Sequence, residues 1–191
     1  MATTKLTKTY GSSGNRKTYT LSVWVKFSSP SSTNTLVNVG PFSGDNEFRL
    51  TRVSDGKLEF HDYGSSAYKF RYKTNRLLRD TNAWYHIVCA VDTTQGTSGD
   101  RIKIYINGVQ ETSFSTSTAP SQNLDTDWGL AEDYVLGATE SGNYMDGILS
   151  HFHYTDGTAY NASAFGSTDS TTGEWKINTS PVVESNGFFI L

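Results

Sequence analysis

Hydrophobic and polar positions alternate with a period of two along much of the chain. Between Tyr19 and Phe27 every second residue is apolar, and Thr20, Ser22 and Trp24 lie between them on a second face that is predicted to be wetter. This alternation is typical of a half-buried β-strand. Similar strand-like segments lie at 35–39, 47–53, 57–63, 67–73, 84–92, 101–107, 134–137 and 147–154. The pattern predicts an all-β domain, with 84–92 as a central strand because that run is apolar on both faces.

Short groups of Gly, Asn, Asp and Ser separate these segments. Asn107-Gly108 is the strongest hairpin signal in the chain, because both residue types tolerate the positive φ angles of a type I′ turn. Asp55-Gly56 also predicts a type I′ hairpin, and Gly64-Ser65-Ser66 predicts a three-residue connection with a bulge. The polar stretch 115–127 is predicted to be the longest loop.

Length and composition fit one β-domain with a single core. The chain has 191 residues, of which 36% are hydrophobic, 13% aromatic and 18% charged. A lone cysteine, Cys89, cannot form an intramolecular disulfide, so packing must stabilise the fold. Its apolar surroundings predict a buried thiol.

Charge and hydropathy argue against nucleic-acid and membrane partners. The net charge is −3, from 19 acidic and 16 basic residues, and no basic cluster is interleaved with aromatic residues. No apolar stretch is long enough to cross a bilayer, and the first residues lack the apolar core of a signal peptide. We therefore expect a soluble protein made in the cytoplasm.

Several motifs resemble the laminin-G-like branch of the concanavalin A-like jelly rolls. They are the strand Tyr19–Lys26, the Trp84-Tyr-His-Ile-Val88 run, the hairpin Ile102-Lys-Ile-Tyr-Ile-Asn-Gly-Val109 and the closing strand Tyr144-Met-Asp-Gly-Ile-Leu-Ser150. The resemblance covers about residues 15–155 and implies a two-sheet antiparallel β-sandwich.

The C-terminal part resembles virion structural proteins of tailed bacteriophages, especially marine ones. The matching motifs are His153–Tyr160, Phe165–Lys176 and Asn186-Gly-Phe-Phe189, although Ile177 stands where the family usually has Pro. The resemblance implies a capsid decoration or a tail-fibre component of a virion, made in the host cytoplasm. It would assemble with other virion proteins and as a homo-oligomer, with a trimer as a candidate. The alternative is a lectin-like module that binds host-surface carbohydrate.

The two resemblances together predict three regions of the chain. Residues 1–14 form an N-terminal arm or edge strand, 15–155 the sandwich, and 156–191 a wrapping tail whose last strand returns to the sandwich. The apolar end at Leu191 suggests a piece of a longer chain.

Catalysis is not expected. Glucanases of this fold carry Glu-x-Asp-x-Glu or Glu-x-Asp-x-x-Glu on one strand, so that two carboxylates flank the glycosidic bond. This spacing is missing: Glu59 with Asp62, and Glu132 with Asp133, would point to opposite faces of a strand. The chain is predicted not to be an enzyme.

One loop offers candidate binding residues. Trp128 with Asn123 would suit a sugar, because an aromatic face and an amide together match a pyranose ring. Asp125, Asp127 and Asp133 supply the hard oxygen ligands that calcium prefers, although no ordered calcium-loop motif is present. Calcium is therefore the one candidate cofactor, and none is required.

Three histidines are candidates for a structural or a functional role. His151 and His153 would share one strand face, as a surface pair or as the start of a zinc site that lacks a third ligand. His86, in the central strand, is predicted to be a hydrogen-bonded core residue.

Overall fold

Two antiparallel sheets enclose one hydrophobic core in the computed structural model, which describes residues 3–40, 46–180, 182 and 187–190. The strands of the first sheet are β1 (Leu6–Thr9), β3 (Asn34–Val39), β4 (Glu47–Arg52), β5 (Lys57–Gly64), β6 (Ala67–Leu77), β10 (Phe114–Thr118) and β11 (Asp133–Leu136). Their order is β1-β11-β3-β4-β5-β6-β10. The predicted class, an all-β two-sheet sandwich, is confirmed.

The second sheet has six strands, and a small hairpin lies outside both sheets. The six strands are β2 (Thr18–Phe27), β7 (Tyr85–Asp92), β8 (Ile102–Ile106), β9 (Val109–Gln110), β12 (Gly147–Asp156) and β15 (Phe188–Ile190). Their order is β15-β12-β2-β7-β8-β9. The hairpin consists of β13 (Gly166–Thr168) and β14 (Trp175–Ile177), and we call it the tail hairpin.

The inward residues of the alternating strands form the core. On β2 the side chains of Leu21, Val23 and Val25 are almost completely buried, and on β8 every second residue is a buried isoleucine. The core therefore follows the period-two pattern.

The turns match the sequence prediction in one place and differ in two. Asn107 and Gly108 both have positive φ, 50° and 80°, as a type I′ turn requires. At 55–56 only Gly56 has positive φ, and its N–H bonds the carbonyl of Val53, so the type I′ prediction is wrong. Ser65 and Ser66 both adopt positive φ between the paired Gly64 and Ala67, so this connection has two residues rather than three.

The predicted loop 115–127 begins with an edge strand. β10 pairs with β6, with Thr116 opposite Lys73. Its Ser and Thr residues give no apolar alternation, because an edge strand that is mostly exposed needs no buried face.

The first and last described strands lie at the edges of different sheets. β1 pairs with β11, with Leu6 opposite Leu136, and β15 pairs with β12, with Phe188 opposite Tyr154. Leu191, the suspected end of a fragment, lies outside the described residues. Within the described ranges no helix is long and apolar enough to cross a membrane.

The segment 157–180, here called the tail, crosses the outer face of the six-stranded sheet, the face turned away from the core. Ala162 and Phe165 of the tail pack on Val88, and Thr20 Oγ1 both donates to the carbonyl of Thr158 and accepts from the N–H of Tyr160. Because of this cover, Thr20 and Ser22 are completely buried, although their alternation predicts the wetter face of β2.

Candidate functional site

Trp128 cannot serve as the predicted sugar platform. Its side chain is fully buried at one end of the core, 6.2 Å from the ring of Tyr19 and 4.6 Å from the ring of Tyr134. The loop is fixed there because the N–H of Asp127 donates to a carboxylate oxygen of Asp62 at 2.7 Å. Asn123 is exposed on the surface, so the predicted pair does not form one site.

The three predicted calcium ligands have separate partners. Asp127 is buried, 2.6 Å from the ammonium of Lys69, whereas Asp125 is exposed, 3.9 Å from Lys17. Asp133 accepts a hydrogen bond from the hydroxyl of Thr9. Across the part of the chain that is described, no three His, Cys, Asp or Glu side chains group to hold a metal ion. Calcium binding by these aspartates stays a prediction that this geometry does not support.

An open, mainly apolar groove lies instead on the outer face of the six-stranded sheet, and we call it the tryptophan groove. Its volume is about 520 Å³. Its lining residues are Trp24, Trp84, Ser150, His151, Trp175, Lys176 and Ile177. Three of the four tryptophans of the chain therefore meet at one surface site.

These lining residues come from distant parts of the sequence. Trp24 lies on the outer side of β2, and Trp84 precedes β7 and is 39% exposed. Ser150 and His151 belong to β12, whereas β14 of the tail hairpin supplies residues 175–177. The groove forms only where the tail crosses the sheet.

A β-bulge on β12 separates the two histidines that were expected to share a face. Ser150 pairs with Trp24 and His153 pairs with Ser22, so β12 has one extra residue between these positions. His151, at φ 48°, lines the groove. His153 is buried beneath the tail, its ring 5.4 Å from that of Phe165.

His86 contacts two of the groove tryptophans and is completely buried, as predicted for a core histidine. Its ring stacks on Trp24 at 4.8 Å with an interplanar angle of 15°, and it is almost parallel to Trp175 at 18°. The indole N–H of Trp175 donates to Nδ1 of His86 at 2.8 Å, and Nε2 lies 2.8 Å from the hydroxyl of Ser22. Burial, helped by His153, lowers the pKa of His86 to about 3, so the imidazole is neutral.

Two glycines make room for Trp175. A Cβ on Gly108 would lie 2.4 Å from its indole ring, and one on Gly166 would lie 2.7 Å from it. Gly108 belongs to the predicted Asn107-Gly108 turn, and the side-chain oxygen of Asn107 accepts the backbone N–H of His86 at 2.7 Å. The hairpin signal thus marks a structural support of the groove.

The outer face of the seven-stranded sheet carries a charged cluster. His61 lies 3.4 Å from Glu47 and 3.1 Å from Glu59, and Arg71 makes two hydrogen bonds to Glu59. Although burial opposes it, hydrogen bonding by His61 and Arg71 lowers the pKa of Glu59 to about 2. These charges bind one another, so the tryptophan groove is the stronger candidate site.

Sequence comparison decides the family. The family model described as the concanavalin A-like lectin/glucanases superfamily, a laminin G type, matches residues 3–159. The chain belongs to this superfamily. No curated protein matches it.

Solved structures of low identity share the superfamily fold. The mouse laminin α1 chain, domains LG4-5, matches with a TM-score of 0.56 at 13% identity, covering 97% of this chain and 43% of that one. The CBM40 of the Ruminococcus gnavus IT-sialidase matches with a TM-score of 0.54 at 12% identity, and the match covers 85% of this chain and 96% of that one. A third match is domain 4 of AbnA, an extracellular arabinanase from Geobacillus stearothermophilus, in complex with arabinotriose. Its TM-score is 0.52 at 20% identity, and the match covers 78% of this chain and 64% of that one. The chain therefore spans less than two thirds of that arabinanase chain.

Proposed function

We propose that this superfamily member is a glycan-binding module and that the tryptophan groove is its binding site. The meeting of Trp24, Trp84 and Trp175 in one open groove is the observation that carries the proposal. One face of a pyranose ring is rich in C–H groups and packs on an aromatic ring, which combines a large apolar surface with a polar edge. Ser150 and Lys176 at the groove supply polar groups for sugar hydroxyls.

The solved structures support the ligand class. The arabinanase domain is in complex with arabinotriose, and the Ruminococcus domain is the CBM40 of a sialidase. These ligands and names belong to those proteins, and low identity carries over only the fold. The aromatic groove of this chain is the separate observation that favours a glycan here.

Binding without catalysis is the expected activity. The carboxylates of the charged cluster, Glu47 and Glu59, are engaged by His61, and Arg71 also binds Glu59. Incubation with each bound oligosaccharide should release no reducing sugar. Release that depends on either glutamate would show a hydrolase.

The virion location stays a prediction, which rests on the resemblance of motifs between residues 153 and 189 to phage virion proteins. A glycan-binding module is compatible with it, since a tail fibre that recognises a host surface needs such a site. Fitting the sandwich into cryo-electron microscopy density of intact virions tests the location. Density on the capsid shell would favour a decoration role instead.

The direct test of the site compares two exposed aromatic side chains. Trp84 is 39% exposed at the groove and Tyr68 is 40% exposed on the other sheet. After a glycan-array screen, affinities for the best ligand are measured by calorimetry for wild type, Trp84→Ala and Tyr68→Ala. A stacking contact of about 1 to 1.5 kcal/mol predicts that Trp84→Ala weakens binding about tenfold and that Tyr68→Ala leaves it unchanged. Equal affinity of both variants, or no glycan bound by the wild type, overturns the proposal.

A further inference from the structure

The position of Trp175 depends on the protonation state of His86. The indole N–H of Trp175 can only donate, so Nδ1 of His86 must accept. Nε2 then carries the proton and donates to the hydroxyl of Ser22. This neutral tautomer is the one that fits both partners.

A proton added to His86 removes the acceptor. Both ring nitrogens of an imidazolium are donors, so Nδ1–H would face the indole N–H of Trp175 at 2.8 Å. Stacking on Trp24 and the bond from Nε2 to Ser22 leave little room for the imidazole to turn away. The docked tail therefore disfavours a charged His86.

We propose that His86 is the positioning residue of the tryptophan groove, and that its uptake of a proton in acid releases Trp175 and abolishes glycan binding. The glycan part of this inference rests on the proposed function. The docking part concerns the tail alone and can be tested without a ligand.

The other titratable groups around His86 are consistent with this direction. From β12, His153 is buried beneath the tail, and burial followed by the charge of His151 lowers the pKa of His153 to about 4. From the tail hairpin, Lys176 is bound to Asp169 at 2.7 Å. The partners from β2 and from the turn after β8 are Ser22 and Asn107, which carry no charge.

The sign of the pH effect follows from these lowered histidine pKa values. Tail docking is at full strength above the ordinary histidine pKa of about 6.5, and it weakens as the pH falls below that value, because the undocked state takes up protons first. For each pH unit below about 6.5 and above the docked pKa, each histidine shifts the docking equilibrium by up to about tenfold. His86 and His153 act in the same direction.

Indole resonances measure docking directly. In protein labelled with ¹⁵N-tryptophan, each of the four tryptophans gives one indole signal, and Trp128 in the core serves as an internal reference for the intact sandwich. Between about pH 8 and about pH 4.5 we expect the hydrogen-bonded Trp175 signal to lose intensity or to move toward the free position. The Trp128 signal should keep its intensity and move only with the titration of the nearby Asp62.

The matched variant is His86→Gln. A glutamine oxygen accepts from Trp175 and its amide donates to Ser22, but the side chain does not titrate. The pH dependence should then shrink to the part contributed by His153, and His153→Gln should remove that part. If His86→Gln does not fold, the wild-type titration and His153→Gln still give the test.

Each outcome separates the two proposals. A Trp175 signal that is constant over this pH range, or that titrates identically in His86→Gln, overturns the role of His86. If the signal titrates but no glycan binds at any pH, the proposed function fails while docking through His86 stands. If the glycan affinity changes neither with pH nor in His86→Gln, protonation of His86 is not coupled to glycan binding, and the groove remains a binding site.

Discussion

Gly108 shows how one residue serves both a turn and a binding surface. Its φ of 80° suits the type I′ turn, and its missing side chain leaves the space that the Trp175 ring occupies. A left-handed conformation costs an alanine about 1 to 2 kcal/mol. The turn requirement was visible in the sequence, whereas the contact with Trp175 was not.

Gly108→Ala should displace Trp175, and Gly173→Ala is its matched control. Gly173 has φ 75°, close to that of Gly108, but no atom lies within 4 Å of the position of its Cβ. Both variants carry the backbone cost, so the excess effect of Gly108→Ala reports the contact with Trp175. We expect Gly108→Ala alone to remove the protected Trp175 indole signal in NMR. Loss of this signal in both variants would show that backbone strain in a turn is enough to displace Trp175, without the contact at Gly108.

Asp62 is a second residue whose role comes from its surroundings. It is fully buried, 3.4 Å from Lys69, and accepts the backbone N–H of Asp127. Burial, followed by repulsion from Asp127, raises the pKa of Asp62 to about 7. A raised carboxyl pKa stabilises the fold fully below its ordinary value of about 4, and this contribution is lost as the pH rises through the folded pKa.

Asp62→Asn should therefore change the pH dependence of stability. Asparagine keeps an acceptor for the N–H of Asp127 and cannot ionise. We expect the free energy of unfolding of the variant, relative to wild type, to rise by on the order of 1 kcal/mol between about pH 5 and about pH 8. Urea unfolding measures this difference, with Asp100→Asn, an exposed carboxylate, as control. Parallel curves for Asp62→Asn and wild type would contradict the raised pKa.

At the scale of elements, the tail decides which surfaces are exposed. Phe165 is 2% exposed and packs with Ala162 on Val88, in a cluster separate from the main core. The alternation in β2 predicts two faces correctly, but it does not show that the tail covers the outer one. The alternation in a strand shows only which positions are apolar. A polar face that hydrogen-bonds to another segment is also buried, but the sequence pattern does not mark it as buried.

Phe165→Ala should release the tail without unfolding the sandwich. Loss of a buried phenylalanine costs about 3 kcal/mol, which corresponds to about a hundredfold shift in the local opening equilibrium. Hydrogen exchange should therefore accelerate at tail amides such as that of Asn178, which bonds the carbonyl of Phe165, and not in β7. Phe70→Ala, in the main core, should instead accelerate exchange in both sheets. Equal acceleration of both regions in Phe165→Ala would mean that tail and sandwich open together.

At the scale of the whole molecule, the inner face of β7 reports global unfolding. Cys89 is fully buried in the main core, and burial raises the pKa of its thiol. Its neighbour Val88 points to the opposite face, beneath the tail. The two sides of one strand therefore belong to different packing units.

Cys89 should react with thiol reagents only through global unfolding. We expect its labelling rate to be unchanged in Phe165→Ala and raised in Phe70→Ala, because only the second substitution weakens the core. Measuring the rate with an aromatic disulfide at low denaturant concentration checks this. A faster reaction in Phe165→Ala would show that the tail protects the core itself.

The sequence by itself determined the fold class, the strand pattern, the Asn107-Gly108 hairpin and the family resemblance, because period-two alternation and turn preferences are local properties. Only the tertiary structure decided that Trp128 is buried, that a bulge separates His151 from His153, and that Trp175 lines the same groove as Trp24, 151 positions earlier in the sequence. These arrangements depend on contacts between distant segments, and the amino-acid pattern of one segment does not record which other segment covers it. The binding surface of this protein therefore emerges only when the tail lies on the sheet.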